Sequence, residues 1–205
     1  MARRTKEEAE KTYHTLLEAA AEQFTMHGVA ATTLNDIAQA AGVTRGALYW
    51  HFKGKEDIIR ALWENYAVGP VKDFEGQLKN LPHVNTVQIF KGILLNFFQE
   101  IEKSRQLSLA FRIIINNMEV TDDESDLLNF MNDEKKRVID VFCAAFTALK
   151  EKDVVRDCLE ADRLAFTFLC ISMGLMDQYF DPRVDIDLSD YGREIIDIFF
   201  IGILK

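Results

Sequence analysis

Cysteine, proline and long apolar runs are all scarce in this 205-residue chain, and each scarcity removes a class of protein. The three cysteines, Cys143, Cys158 and Cys170, form no CxxC pair and no cluster with histidine. Their odd number argues against a disulfide framework or a cysteine zinc site and for a reducing cytoplasm. No stretch approaches the roughly 18 consecutive apolar residues of a membrane span. The best runs, 168–176 and 195–204, are too short, and the second contains Asp197. The opening MARRTKEEAEK is basic but lacks the apolar segment of a secretory signal.

Strand signals are nearly missing as well: no alternating β-branched run is flanked by a hairpin turn. The three prolines read as punctuation. Pro70 follows Gly69 inside a long helical pattern, Pro82 sits in the polar stretch 79–85, and Pro182 follows Phe180 and Asp181. Elsewhere helical periodicity runs almost throughout. Tyr13, Leu17, Ala20 and Phe24 share one face of a first helix that Gly28 ends, and Thr33 with Asp36 forms a capping box for the second. The pattern predicts helices near 8–27, 34–40, 44–51, 55–79, 86–102, 104–118, 123–151, 160–180 and 188–204, the fourth kinked at Gly69-Pro70. The expected fold class is all-α.

Positive charge is also short. Lys and Arg number 24 against 33 Asp and Glu, a net of −9, which taken whole argues against a nucleic-acid partner. The distribution reverses that inference. Residues 1–63 hold eight basic and eight acidic groups, so the entire deficit lies in the remaining 142 residues. Thirteen of the 15 Phe lie there too. A neutral head is joined to an acidic, aromatic-rich body, and such asymmetry hints at divided function.

The head carries the sharpest pattern. In residues 31–58 (ATTLNDIAQAAGVTRGALYWHFKGKEDI) two short helices flank Ala41-Gly42-Val43, the helix-turn-helix layout. Gly42 supplies the positive φ of a tight turn, and Ala38 allows a close crossing. Leu34, Ile37, Val43, Leu48 and Phe52 form an apolar inner face. Outward stand Thr44, Arg45, Gly46, Ala47, Tyr49, Trp50 and His51, an unusual set for a plain solvated face. Arg45 suits guanine O6/N7 in the major groove, and Thr44 and the Ala47 methyl suit base edges or a thymine methyl. Gly46 and Ala47 permit close backbone approach. Tyr49, Trp50 and His51, with Thr33 and Lys55 at helix N-termini, suit flanking phosphates. The competing reading is a hairpin used only for packing, with Tyr49 and Trp50 in the core.

On these residues, 13–63 resemble the DNA-binding domain of the TetR family of bacterial repressors. The run VTRGALYWHFKGKEDI and the opening MARRTKEEA look like its AcrR/TtgR-type multidrug-efflux subgroup. Downstream, residues 117–123 and Pro182 sit where that subgroup has similar features. The resemblance implies nine or ten helices, a homodimer, and DNA contacts at Thr33, Thr44, Arg45, Gly46, Tyr49, Trp50, His51 and Lys55. The expected organisation is a three-helix DNA-binding domain over residues 1–56 and a ligand-binding and dimerisation domain over 57–205, about nine helices in all.

The body offers no catalytic constellation. Its only histidine is His83, beside Pro82, and no Gly-rich phosphate loop is present, so neither enzyme activity nor a metal or cofactor is expected. Asp185, Asp187 and Asp190 read as cation ligands or, preferably, as the acidic start of the last helix. Helix 160–180 is apolar nearly all round, and helix 188–204 carries Ile195, Ile198, Phe199 and Ile201 on more than one face. A monomer would leave part of this exposed, so a homodimer through these two helices is expected, with Gly174 and Gly202 permitting close approach. A two-fold dimer also matches a palindromic operator in double-stranded DNA. Trp63, Phe97, Phe111, Ile115, Phe142 and Met173 are candidates for a pocket that takes varied apolar compounds, with ordinary core as the alternative. Phe98, Met118, Val138, Phe146 and Leu169 share that reading. The resemblance places Phe97, Phe111, Ile115, Phe142 and Met173 near ligand positions. Asn96, Asn116, Asn117 and Asp177 are candidates for polar selectivity.

The expected function is a dimeric repressor of an efflux operon, released by small hydrophobic inducers, in the bacterial cytoplasm and away from membranes. The alternatives are a helix-turn-helix regulator of other genes without an inducer, and an enzyme or carrier on a helical bundle.

Overall fold

The computed structural model describes residues 6–81, 84–116 and 126–205. These form ten α-helices: α1 (Lys6–His27), α2 (Leu34–Ala40), α3 (Arg45–His51), α4 (Lys55–Tyr66), α5 (Val68–Lys79), α6 (Thr86–Lys103), α7 (Arg105–Asn116), α8 (Asp126–Glu151), α9 (Ala161–Phe180) and α10 (Leu188–Ile203). The only β-type pairing among them is an isolated antiparallel bridge between Val155 and Leu204. His83, Asn117 and Met118 lie outside the described residues, as does the segment 117–123.

Local chemistry sets the head. Gly28 takes φ +79° and donates its N–H to the Phe24 carbonyl at 2.9 Å, ending α1. Thr33 and Asp36 cap α2 reciprocally: the Thr33 N–H donates to Asp36 at 2.8 Å and the Asp36 N–H to the Thr33 hydroxyl at 3.2 Å. The Thr33 hydroxyl also donates to the same carboxylate at 2.6 Å. Gly42 turns the chain at φ +66°, and the Val43 N–H reaches back to the Ala38 carbonyl at 3.0 Å. Ile37, Ala38, Leu48 and Phe52 are buried against Leu16, Leu17, Ala20 and Phe24 of α1, with Leu34 and Val43 half-buried beside them. The apolar inner face read from the spacing is thus the real one.

The long fourth helix is corrected. It is two helices, and the break falls at Ala67 (φ −115°, ψ −33°) rather than at Gly69-Pro70. Pro70 is the third residue of α5, where a missing N–H removes no bond within that helix. The cost is felt upstream, where a continuous helix would need a proline N–H for the Tyr66 carbonyl. Gly69, having no Cβ, avoids part of the clash that usually drives the residue before proline out of helical conformation. This split accounts for ten helices where about nine were expected.

In the body, α9 packs on α8 and α10 on both α6 and α9. Fully buried Phe90, Phe146, Phe168 and Phe200 fill the space between them. Glu102 of α6 accepts the Leu188 N–H at 3.1 Å and the Ser189 hydroxyl, and Lys91 pairs with Asp197. Asp187 caps α10 by accepting the Asp190 N–H at 2.7 Å, so these aspartates start a helix, as preferred. Gly192 faces the Phe98 ring so closely that a Cβ there would lie 2.5 Å from Phe98 Cδ2.

Two outcomes follow from this geometry. Gly192→Ala forces the buried Phe98 ring aside and lowers unfolding free energy by about 1–3 kcal/mol, as overpacked cores do. Adding Phe98→Leu recovers part of that loss in a thermal-denaturation cycle, and strict additivity would show the contact to be harmless. The Thr33 hydroxyl and N–H also hold the Asp36 carboxyl below the usual aspartate range. Any stability from this capping carboxylate is therefore present above the unfolded pKa and fades as pH falls through the lower folded one. An NMR titration should find Asp36 depressed in wild type and moved upward in Thr33→Ala; an unchanged value would remove the capping account.

Candidate nucleic-acid interface and ligand cavity

Helix α3 presents the face expected of it. Leu48 is fully buried, while Thr44, Arg45, Gly46, Tyr49 and Trp50 are exposed and Ala47 and His51 half-buried. Trp50 is 72% exposed, which overturns the packing-only reading that would have placed it in the core. Thr44 caps α3, its hydroxyl accepting the Ala47 N–H at 3.2 Å. Arg45 folds over Tyr49, its guanidinium 5.8 Å from the ring centroid and 3.4 Å from the hydroxyl. His51 sits edge-on to Trp50 at 4.5 Å and beside Tyr13 at 5.8 Å, so the ring that closes α3 is tied to α1. A Cβ built on Gly46 would meet no atom closer than 3.9 Å, so nothing inside the protein requires a glycine there.

Lys55 has a second duty. Its ammonium donates to the Val29 carbonyl at 2.7 Å and the Ala30 carbonyl at 3.3 Å, clamping the turn between α1 and α2 onto the start of α4. Thr33 is exposed, with its hydroxyl engaged by Asp36. Arg45, Tyr49 and Trp50 project from α3 itself.

A cavity of about 150 Å³ lies in the body, and all six candidate pocket residues line it: Trp63, Phe97, Phe111, Ile115, Phe142 and Met173. Phe98, Val138 and Leu169 line it too, whereas Phe146 is fully buried core. Its aromatic walls are ordered by edge and face contacts. Trp63 meets Phe111 edge-on at 5.2 Å, and Phe74 stacks on Phe97 at 4.4 Å. Asn96 and Asp177, considered for polar selectivity, do not reach this cavity; the polar side chains that do are Asn132, Glu134, Lys135 and Ser172. Spacing gave no signal for these four, since three fall on a charged stretch of α8 that reads as solvated face.

Glu134 connects the cavity wall to α4. Its Oε2 accepts the Trp63 indole N–H at 2.9 Å and an Arg137 N–H at 2.8 Å. Arg137 also donates to buried Glu75 at 2.7 Å. Burial alone would lower the Arg137 pKa, but the bonds and charges of Glu75 and Glu134 outweigh it and hold the guanidinium above its usual value. One turn earlier on α4, Arg60 donates to the Asp126 carbonyl at 2.8 Å and lies 4.9 Å over the Phe130 ring. Helix α4 is thus fastened to α8 at Arg60 and Trp63 and to the head at Lys55. Arg105 of α7 pairs with Glu22 of α1 at 2.7 Å as a second link.

The unpaired apolar surface lies on α9 and α10. Phe166, Ile171, Tyr191, Ile198 and Ile201 are all exposed, with Ile198 at 69% and Ile201 at 74%. Gly174 and Gly202 are exposed on the same two helices, with open space where a Cβ would stand. Among the described residues no helix is long and apolar enough to cross a membrane, and no group of His, Cys, Asp or Glu is placed to hold a metal ion.

Comparison with known proteins agrees with this architecture. A family profile described as "Bacterial regulatory proteins, tetR family" matches residues 16–62, which run from α1 into α4. A probable acrEF/envCD operon repressor of Escherichia coli K12 is 59% identical over 63 residues, 31% of this chain and 29% of that one. The HTH-type transcriptional regulator TtgR of Pseudomonas putida is 37% identical over 128 residues, 62% of this chain and 60% of that one. The chain therefore aligns with less than two thirds of either relative's length. The crystal structure of NalD, the secondary repressor of the MexAB-OprM multidrug efflux pump in Pseudomonas aeruginosa, superposes with a TM-score of 0.82 at 24% identity, covering 98% of this chain and 99% of that one. The shared fold extends through the body, and the sequence match is concentrated in the head. With its helix-turn-helix head and helical body, the chain carries over residues 16–62 a domain that matches the tetR family of bacterial regulatory proteins, and as a whole it shares the fold of NalD.

Proposed function

We propose that the protein is a dimeric, ligand-responsive repressor that binds a palindromic operator and controls a multidrug-efflux operon. The observation that carries this reading is the exposed α3 face, with Trp50 72% exposed and Arg45 and Tyr49 beside it, fused through α4 to an aromatic cavity. The head, residues 1–56, would hold DNA and the body, 57–205, the inducer and the second subunit. Arg45 is the natural reader of a guanine edge, with Thr44 and the Ala47 methyl beside it. Gly46 lets the backbone approach the groove, a role favoured by the lack of any internal need for glycine there. Tyr49, Trp50, His51, Thr33 and the remaining N–H of Lys55 suit phosphates.

The exposed stripe on α9 and α10 fits a second copy of the chain. Pairing it about a two-fold axis buries Phe166, Tyr191, Ile198 and Ile201 and brings two recognition helices to one palindrome. An inducer in the cavity would act through α4, provided that it binds the DNA-incompetent state more tightly. The names of the relatives, an acrEF/envCD operon repressor and a repressor of the MexAB-OprM pump, support efflux control as the regulated process. Neither enzymatic turnover nor a cofactor enters this scheme.

Anisotropy titration on the promoter DNA beside its own gene tests the reading. The expected result is two chains per palindrome and an affinity that falls steeply with salt. Arg45→Ala should lose about 1–3 kcal/mol of discrimination between the operator and a scrambled duplex. Lys55→Ala should weaken both duplexes alike. Equal binding of wild type to operator and scrambled DNA would contradict the proposal.

A further inference from the structure

We propose that the cavity selects a neutral, single-ring aromatic compound bearing one hydrogen-bonding group, and that Ser172 recognises this group. The inference rests on the cavity being the inducer site proposed above, and it adds the chemistry of the ligand and the residue that reads it.

Size and wall chemistry set the first part. A cavity of about 150 Å³ is comparable to apolar cavities known to admit a benzene ring. Its aromatic walls, the Trp63–Phe111 and Phe74–Phe97 pairs, offer both faces and edges to such a ring.

Charge sets the second part. The charged side chains at the wall are Glu134 and Lys135, one of each sign. Glu134 is already matched by the Trp63 indole and Arg137, and Lys135 is exposed to solvent. A charge buried among the aromatic walls, away from Lys135 at the solvent-exposed rim, would therefore meet no counter-charge, and burying an unpaired charge is strongly unfavourable. A neutral ligand is the one the wall accepts.

Ser172 sets the third part. It lies on α9, only 7% exposed, and it lines the cavity. Its hydroxyl makes no hydrogen bond, although a helical serine usually has a carbonyl one turn back within reach. Buried hydroxyls are nearly always paired, so an unpaired one demands a reason. The other such hydroxyl among the described residues, Thr25, belongs to α1 and does not border the cavity. Around Ser172 the neighbours in the wall are apolar: Phe168, Leu169, Met173 and Met176. A ligand hydroxyl or carbonyl would supply the partner that the protein withholds, whereas a pure hydrocarbon would leave Ser172 unpaired. Asn132, the other neutral polar group, is exposed to solvent and needs no such partner.

Calorimetric titration of the full-length protein at pH 7 with 4-ethylphenol, ethylbenzene and 4-ethylbenzoate tests this. The phenol is expected to bind about tenfold more tightly than ethylbenzene, the equivalent of one hydrogen bond. The benzoate should bind far more weakly than either. Ser172→Ala should erase the phenol's advantage while leaving ethylbenzene affinity in place, and Ser172→Thr should restore the advantage. Ser172→Ala is also expected to melt no lower than wild type, because it removes an unpaired polar group. Equal binding of phenol and ethylbenzene, or an advantage that survives in Ser172→Ala, would overturn the proposal. Binding of none of the three would overturn both this inference and the cavity as inducer site. Phenol preference without any loss of DNA affinity would leave the inference standing and remove the inducer role.

Discussion

Helix α4 is held at both ends by groups from different parts of the molecule, and the relation between head and body depends on those attachments. At its start, the Lys55 ammonium grips the Val29 and Ala30 carbonyls of the turn before α2. Along its length, Arg60 and Trp63 bind Asp126 and Glu134 of α8. Trp63 is also cavity wall. Trp63 and Lys55 lie about two turns apart on this one twelve-residue helix, so in the proposed scheme a displacement at one would be carried to the other without a flexible relay. The break at Ala67 separates this element from α5 while leaving the two helices in contact.

The division of charge fits the same arrangement. A net of −9 belongs wholly to residues beyond 63, while the head is neutral and exposes Arg45 and Lys53 near α3. In the proposed DNA complex the acidic body would be repelled by the duplex and the head would not, which would orient approach and make affinity depend on salt despite the low isoelectric point. Where the body does bury charge, it matches it: Arg137 lies between Glu75 and Glu134. The one charged group at the wall of the neighbouring apolar cavity that lies outside this network is the solvent-exposed Lys135.

The head was legible because its determinants are local. The Thr33–Asp36 box, the positive φ at Gly42 and the stop at Gly28 act within three or four residues, and inward and outward faces of α3 follow from one turn of spacing. That Trp63, Phe97, Phe111, Ile115, Phe142 and Met173 would line one cavity was also legible, as large apolar side chains on helices that must face one another. Other features were not. The break at Ala67 precedes Pro70 because a proline disturbs the turn before it, so the visible residue misplaces the effect. The Arg137–Glu75 pair joins residues 62 apart, and its members read singly as solvated charges. Ser172 differs from any other helical serine only in what surrounds it, and that is a property of tertiary packing.

Thermodynamic coupling between the cavity and α3 is the centre of this account, and reciprocity measures it most directly. Affinity for promoter DNA is determined with and without a saturating hydrophobic inducer, and inducer affinity with and without saturating DNA. Linkage requires the two ratios to be equal, and the account predicts both to show weakening by about 5–150-fold. An inducer that fills the cavity yet leaves DNA affinity unchanged would contradict it.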